Sequence, residues 1–198
     1  MSDKKIITIG REFGSGGREI GIELSKKLNI PFYDKEILAE AAKKSGYSQE
    51  IFEKHDEKPT SSFLYSLAVG VNNLAQAYQR PLTLEIYLAQ FDTIKKLAAE
   101  GSGIFIGRCS DYILNDVPEA LHVFVRSDKE SKIARVMERY DVEADIAEEM
   151  CKRHDKDRQL YYNYYANVKW GDARHYDLCI NSGKLGIEKS VKLITDCL

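Results

Sequence analysis

The chain has 198 residues, a formal net charge of −2 at pH 7, 43% hydrophobic and 30% charged residues. This composition is typical of one soluble domain, with room for an inserted subdomain. The near-neutral charge argues against general nucleic-acid binding, which usually requires an excess of basic residues. No apolar run approaches the length of a membrane-spanning helix, so we expect no membrane partner. The four cysteines form no C-x-x-C pair, which favours reduced thiols in a cytoplasmic protein over a zinc site or a disulfide framework.

The first predicted element is a buried strand at residues 6–9, where β-branched residues form a short apolar run. Residues 10–17 contain four glycines, and residues 18–28 then place apolar side chains at helical spacing. A strand, a glycine loop and a helix in this order direct several backbone N–H groups and a helix N-terminus at one point. The sequence therefore predicts a phosphate-binding loop. The alternative is a tight turn between strand and helix that binds no ligand.

This loop departs from the P-loop motif G-x-x-x-x-G-K-[ST], in which the lysine contacts phosphate and the hydroxyl contacts Mg²⁺. In the best register Arg11 replaces the first glycine, Gly17 stands in place of the lysine, and Glu19 falls near the hydroxyl position. The dinucleotide motif G-x-G-x-x-G fails as well, because Glu19 occupies its third glycine position. Arg11 or Arg18 is a candidate for the missing positive charge. An arginine would supply it through a rigid, planar guanidinium group, whereas a lysine supplies it as a point charge.

The rest of the chain alternates predicted strands and helices. Strands are predicted at residues 29–34, 103–106, 120–125 and 176–180, and helices at residues 35–44, 49–54, 63–79, 82–100, 129–140, 143–161 and 186–197. Asp34 is expected to cap the helix that follows it. Residues 55–62 are polar, contain Pro59 and are expected to form a mobile connection. Five strands separated by helices predict an α/β fold, a parallel sheet with helices on both faces.

Several polar residues follow the predicted strands directly, at the side of a parallel sheet where ligands bind. Besides the glycine loop, they are Asp34, Gly107, Arg108, Arg126 and Asn181. This convergence predicts one active cleft. Cations in such a cleft favour phosphoryl transfer, because that reaction asks the protein mainly for positioning and for neutralisation of charge.

Two helices after the fourth strand carry four further arginines: Arg135, Arg139, Arg153 and Arg158. A helix with this charge pattern could close over bound phosphates as a lid and exclude water. The alternative is a solvated helix with surface ion pairs, which individually contribute little to stability. The aromatic residues at 161–170 could stack on a base, although such clusters more often pack a lid against the core or form a subunit contact.

Six segments resemble the cytidylate kinase-like proteins within the P-loop nucleoside monophosphate kinases: IITIGREFGSGGREIG, IPFYDKEIL, GIFIGRCSDYIL, the helix with Arg135 and Arg139, KRHDKDR, and DLCINSGKLGIEKSV. The resemblance covers essentially the whole chain, as a single domain at residues 1–198. It implies a three-layer P-loop kinase fold with a five-stranded parallel sheet, a helical acceptor-side insertion at about residues 35–82 and a helical lid at about residues 138–166. It also implies ATP-dependent phosphoryl transfer to a nucleoside monophosphate, with Mg²⁺ bridging the phosphates.

The residues and the resemblance together predict the members of the site. The predicted cofactor-binding residues are Arg11, Gly14, Ser15, Gly16, Gly17, Arg18, Asn181 and Ser182. The predicted acceptor-binding residues are Asp34, Arg108, Asp111 and Asp157, and the predicted catalytic residues are Arg18, Arg108, Arg153 and Arg158. The predicted cofactors are ATP and Mg²⁺, without a metal site made by the protein alone.

Two departures from the family pattern leave three functions open. Gly17 and Glu19 occupy the positions of the lysine and the hydroxyl, and Cys109 replaces the acid of the family's G-R-D element. The favoured function is a kinase that acts on a nucleoside monophosphate or a related small metabolite. The alternatives are a catalytically weak or inactive nucleotide or anion sensor, and a structural module that forms a homo-oligomer.

Overall fold

The computed structural model describes residues 4–57 and 82–198 of the chain. Its strands are β1 Ile6–Arg11, β2 Phe32–Tyr33, β3 Gly103–Ile106, β4 Ala120–Arg126 and β5 Leu178–Asn181. Its helices are α1 Gly17–Leu28, α2 Lys35–Ser45, α3 Gln49–His55, α4 Leu82–Glu100, α5 Ser110–Ile113, α6 Lys129–Tyr140, α7 Ala144–Ala166 and α8 Ser182–Asp196, with a 3₁₀ turn at Ala173–His175. The helix predicted at residues 63–79 and most of the predicted connection at residues 55–62 lie outside the described residues.

The five strands form one parallel sheet in the order β2-β3-β1-β4-β5, which confirms the predicted α/β fold. The central strand β1 is buried on both faces because its side chains alternate between two cores. Ile7 and Ile9 pack with residues of α1 and α8 on one face. Ile6 packs on the other face with residues of α2, α4 and α7. No helix within the described ranges is long and apolar enough to cross a membrane.

The helices α6 and α7 form a smaller core of their own next to the glycine loop. Val136 of α6 and Ala147 and Cys151 of α7 are its buried residues, and Phe13 of the loop packs against them. The loop therefore contributes a large apolar side chain to a helix pair outside the main sheet. This contact fixes where α7 lies relative to the end of β1.

Three sequence-based details differ from the structure. Asp34 occupies the N-cap position of α2 as predicted, but its side chain makes no capping hydrogen bond. Its carboxylate accepts hydrogen bonds from Arg18 and Arg108 instead. The short helix α5 was not predicted, since its four residues are too few to show a helical period. The helix α8 begins at Ser182, but Gly186 interrupts it with non-helical angles, so its regular part begins near the predicted residue.

We predict that Gly21→Ala destabilises the protein, although alanine favours a helix interior over glycine by about 0.5–1 kcal/mol. A Cβ atom at Gly21 would lie 2.6 Å from Cε2 of Phe32 and 2.9 Å from Cδ1 of Ile106. Overpacking of this kind costs about 1–3 kcal/mol, so the free energy of unfolding should fall by about 1 kcal/mol in a urea titration. Gly101→Ala is the control, because no atom lies within 4 Å of a Cβ there. A Gly21→Ala protein as stable as the unmodified chain would contradict this packing.

Candidate active site

A cleft of about 170 Å³ lies at the carboxyl end of β1, between the glycine loop and α6. Five arginines line it: Arg11, Arg18, Arg135, Arg139 and Arg158. Three carboxylates also line it: Glu12, Glu19 and Asp34. The cations come from β1, α1, α6 and α7, so the fold rather than the local sequence brings them together. A cleft with this excess of guanidinium groups attracts anionic ligands.

The glycine loop has a backbone conformation that side chains would prevent. Gly14 and Gly16 have φ angles of 73° and 75°, in the left-handed region that favours glycine. A Cβ at Gly14 would lie 2.9 Å from the carbonyl oxygen of Lys132, and one at Gly17 would lie 2.7 Å from Cβ of Arg11. The glycines thus allow α6 and β1 to lie directly against the loop, and they leave its backbone open to the cleft.

The loop presents free hydrogen-bond donors to this cleft. Among the described residues, the N–H groups of Gly14, Gly16 and Arg18 have no acceptor, whereas that of Ser15 donates to the carbonyl of Glu12 at 3.3 Å. Helix α1 begins at Gly17, so its N-terminus points to the same place. Backbone donors at a helix N-terminus bind phosphate oxygens. The loop therefore offers backbone donors to an anion.

The side chain of Arg18 turns toward the cleft. Its Nε donates to Oδ2 of Asp34 at 2.8 Å, and its guanidinium carbon lies 5.7 Å from the centre of the Phe32 ring. The side chain is 43% exposed, and among the described residues only its Nε makes a hydrogen bond. Arg18 is thus a cation fixed beside the glycine loop, and its role as a replacement for the missing lysine stays a prediction.

Arg108 is buried below this cleft and is fully engaged with protein groups. Nε and Nη2 donate to the two oxygens of Asp56 at 2.9 and 2.7 Å, and Nη1 donates to Asp34 at 3.2 Å and to the Ile106 carbonyl at 3.0 Å. Burial would lower the pKa of Arg108, but Asp56, Glu57 and Asp34 outweigh it and raise the pKa above its ordinary value. The guanidinium group of Arg108 therefore orders the acids around it.

Asp34 links Arg108 to Arg18 and is ionised. Burial alone would raise the pKa of Asp34, but the charge of Arg108 and the hydrogen bond from Arg18 outweigh burial and hold the pKa below its ordinary value. The carboxylate, which lies at the end of β2, therefore fixes the orientation of both guanidinium groups.

Glu57 lies between two further arginines. Nη1 of Arg11 donates to Oε1 at 2.5 Å, and Nε of Arg158 donates to Oε2 at 3.2 Å. Nη1 of Arg158 also donates to the carbonyl of Arg11 at 3.3 Å. Burial would raise the pKa of Glu57, but Arg11 and Arg158 outweigh it and lower the pKa well below its ordinary value. This acid was not predicted as a site residue.

Helix α7 contacts the glycine loop through His154, Asp155 and Arg158. The imidazole ring of His154 stacks on the ring of Phe13 with their centres 4.2 Å apart. Oδ1 of Asp155 accepts the backbone N–H of Phe13 at 2.6 Å, and its Oδ2 accepts Nζ of Lys132 at 2.7 Å. Lys132 also lies 3.3 Å from Glu12. Neither Lys132 nor the contact of Asp155 was predicted, since nothing in the local sequence relates these residues to the loop.

The structure places the remaining predicted site residues in two groups. The buried hydroxyl of Ser182 donates to the carbonyl of Ser15, and Oδ1 of Asn181 accepts the N–H of Gly183 at 3.1 Å at the start of α8. Ser182 therefore contacts the loop, whereas Asn181 lies at the start of α8 next to Ser182 in the chain. Arg153 is exposed on α7, and neither it nor Asp157 lines the arginine cleft. Their predicted roles stay predictions.

Asp111 is buried and does not line the arginine cleft, but it lines a second, smaller pocket together with Glu57, Arg108 and Tyr162. The hydroxyl of Tyr162 donates to Oδ2 of Asp111 at 2.6 Å. Burial raises the pKa of Asp111 above its ordinary value, and this effect outweighs the hydrogen bond. Its predicted contact with an acceptor likewise stays a prediction.

The sequence profile described as the Cytidylate kinase-like family matches residues 6–184. The chain belongs to the cytidylate kinase-like family. It is 29% identical to a cytidylate kinase of Methanococcus vannielii, over 94% of this chain and 99% of that protein. The resemblance found in the sequence is therefore confirmed, and the family is one of kinases.

Solved structures support the same fold. An uncharacterized protein from Eubacterium ventriosum is 33% identical, with a TM-score of 0.74 over 98% of both chains. Shikimate kinase from Bacteroides thetaiotaomicron shares the fold at 14% identity, with a TM-score of 0.52 over 98% of this chain and 97% of that one. The α/β architecture of a P-loop kinase is thus shared beyond the family.

We predict that Asp34→Asn lowers the free energy of unfolding at pH 7 by about 2 kcal/mol. A fully orphaned buried charge typically costs about 3–5 kcal/mol, but Asp56 still pairs with Arg108. The pKa of Asp34 is lower in the folded state, so its stabilisation is present above the unfolded pKa near 4 and is lost as the pH falls through the folded pKa. Urea titrations measure the free energy of unfolding of both proteins at pH 7 and at pH 3. The difference between the unmodified protein and Asp34→Asn should be smaller at pH 3 than at pH 7. An equal difference at both pH values would contradict an ionised Asp34.

Proposed function

We propose that this protein transfers a phosphoryl group from ATP to a nucleoside monophosphate, with cytidylate as the first candidate. The observation that carries the proposal is the meeting of free loop N–H groups and five arginines around one cleft. Phosphoryl transfer needs this combination, because several negative charges must approach one another in the correct alignment. The cytidylate kinases among its relatives support a pyrimidine nucleotide as the acceptor.

In this proposal the glycine loop binds the ATP phosphates. The N–H groups of Gly14 and Gly16 contact phosphate oxygens, and Arg18 supplies the charge of the absent lysine. Nη1 of Arg135 donates to the Gly14 carbonyl at 2.6 Å and so stabilises this conformation of the loop. Arg139 is exposed at the mouth of the cleft and neutralises further charge there.

Mg²⁺ fits the same cleft as a cofactor bound with ATP. This ion takes oxygen ligands and usually has only one or two carboxylates from the protein, with phosphates and water as the rest. Among the described residues, no cluster of three or more histidine, cysteine or acidic groups would hold a metal alone. Glu19, in the first turn of α1, would be the carboxylate that contacts it. The bound ion neutralises phosphate charge.

We also propose that residues 138–166 form the lid, as the sequence predicts, with α7 as its main helix. The acceptor side is predicted at residues 35–82, of which residues 58–81 lie outside the described residues. Arg158 and Asp155 contact the glycine loop from α7 in a way that would exclude water from bound phosphates. A cytoplasmic location and a homo-oligomer stay predictions.

One observation favours the second candidate function, a nucleotide or anion sensor with little catalysis. Lys132 is the lysine beside the loop, but Asp155 and Glu12 both hold it. The positive charge around the transferred phosphate would therefore come from arginines. Their planar guanidinium groups follow a moving phosphate less easily than the flexible side chain of a lysine does.

The experiment that tests the proposal measures ADP release with CMP, dCMP, UMP and AMP at saturating ATP and Mg²⁺. Turnover with CMP or dCMP supports a cytidylate-like kinase. No turnover with any of the four contradicts it. Tight nucleotide binding without turnover would favour the sensor, and no rise in melting temperature with ATP or phosphate would favour a structural module.

We predict that Arg18→Ala weakens ATP binding about tenfold, which corresponds to about 1.4 kcal/mol. The reason is the loss of a cation that Asp34 fixes beside the loop. Calorimetric titration with a non-hydrolysable ATP analogue measures the dissociation constant. Lys26→Ala is the matched control on the same helix, where Lys26 is exposed and pairs only with Glu23 among the described residues. Equal effects of the two substitutions would place Arg18 outside the binding site.

A further inference from the structure

Three successive residues after β3 have left-handed backbone angles. Gly107, Arg108 and Cys109 have φ angles of 65°, 53° and 56°. For residues with a Cβ this conformation costs about 1–2 kcal/mol each, so the surrounding contacts must hold it in place. The N–H of Gly107 donates to the carbonyl of Ile9 at 3.1 Å, whereas the N–H of Arg108 donates to an acidic side chain that lies in this turn. The turn is separate from the glycine loop.

The carboxylate of Glu57 occupies this turn. The backbone N–H of Arg108 donates to Oε1 at 3.0 Å, in addition to the bonds from Arg11 and Arg158. The approach is so close that a Cβ at Gly107 would overlap both the Arg11 guanidinium group and the Glu57 carboxylate. Position 107 must therefore be glycine, because the Glu57 carboxylate and the Arg11 guanidinium group together leave no room for a Cβ.

Two guanidinium groups share the single negative charge of Glu57. Its carboxylate accepts three hydrogen bonds, from Arg11, Arg158 and the backbone N–H of Arg108, which is within the about four that a carboxylate can accept. The imbalance is therefore one of charge, and in keeping with it burial and the repulsion from Arg11 lower the pKa of Arg158. A phosphate monoester carries up to two negative charges, so its charge matches the two guanidinium groups better than that of a carboxylate does.

Glu57 is itself a non-glycine residue in the left-handed region, with a φ angle of 48°. This backbone conformation is strained, and a backbone rotation that carried the carboxylate out of the turn would relieve the strain. The turn itself would stay in place, because Asp56 binds the Arg108 guanidinium group through both of its oxygens.

We propose that Glu57 is an internal substitute for the phosphate of the acceptor, and that a phosphate monoester binds this turn by displacing the Glu57 carboxylate. The inference rests on the proposed function only in naming the occupant as the acceptor. In this proposal Arg11, Arg158 and the backbone N–H of Arg108 bind the phosphate of the acceptor. The side chain of Arg108 does not contact the phosphate and holds the turn in position.

The test compares Glu57→Gln with the unmodified protein in calorimetric titrations of inorganic phosphate, CMP and cytidine. A non-hydrolysable ATP analogue is present to fill the glycine loop. We expect phosphate and CMP to bind about tenfold more tightly to the variant and cytidine to bind equally to both. Glu50→Gln, on the exposed side of α3, is the control and should change nothing. Phosphate binding no tighter in Glu57→Gln would overturn the proposal, and a gain for phosphate without a gain for CMP would overturn the assignment to the acceptor.

A second measurement does not depend on the stability of the variant. In a crystal structure of the unmodified protein with CMP, the Glu57 carboxylate should lie beyond hydrogen-bond distance of the Arg108 N–H, with the phosphate in its place. A carboxylate still bound to Arg108 beside bound CMP would overturn the proposal. If CMP displaces Glu57 but is not phosphorylated, this inference holds and the proposed kinase activity fails. If CMP is phosphorylated while Glu57 stays bound to Arg108, the kinase activity holds and this inference fails.

Discussion

Guanidinium groups from several elements converge at one end of the sheet, where the side chains of Arg11, Arg108 and Arg158 are largely buried. Their mutual repulsion must be balanced by negative charge, because a buried cation without a partner is costly. The cations are Arg11, Arg18, Arg108 and Arg158, and the acids that balance them are Asp34, Asp56 and Glu57. All three acids come from the segment that begins directly after β2 and ends two residues after α3. This charge balance therefore ties that segment to the strands and to α7, and it holds each arginine in a defined orientation.

The sequence alone predicts the sheet, the glycine loop and most helices, because these features follow from local periodicity. The β-branched run at residues 6–9 and the spacing of Ile20, Leu24 and Leu28 are visible in a few residues of sequence. Parallel strands then force the residues after each strand to one edge, so a cleft near Asp34 follows from topology. Helix ends are less certain, since α7 continues to Ala166 through aromatic residues that pack only in the folded protein.

The partners of the charged residues are the part that the sequence could not predict. Glu57 and Arg158 are 101 positions apart, and the Asp155 contact with Phe13 spans 142 positions. Helix geometry explains one further difference. Successive residues of a helix are about 100° apart, so five positions separate Arg153 from Arg158 by about 140° around α7. When Arg158 faces the loop, Arg153 faces solvent, whereas Asp155 and His154 lie within a turn of Arg158 on the same side.

The charge balance also links stability to ligand binding. Acids that neutralise the arginines of the unliganded protein compete with the phosphates that those arginines would bind. Asp34 escapes this conflict, because it accepts a hydrogen bond from Nε of Arg18 and not from its terminal nitrogens. Glu57 does not, because its oxygens take the donors themselves. Asp34 therefore orients an arginine for a bound phosphate without occupying the phosphate's position. Glu57 lies between two arginines, so in our proposal its carboxylate must move away before a phosphate binds there. Stability of the unliganded protein and affinity for an acceptor should accordingly change in opposite directions at Glu57 and together at Asp34.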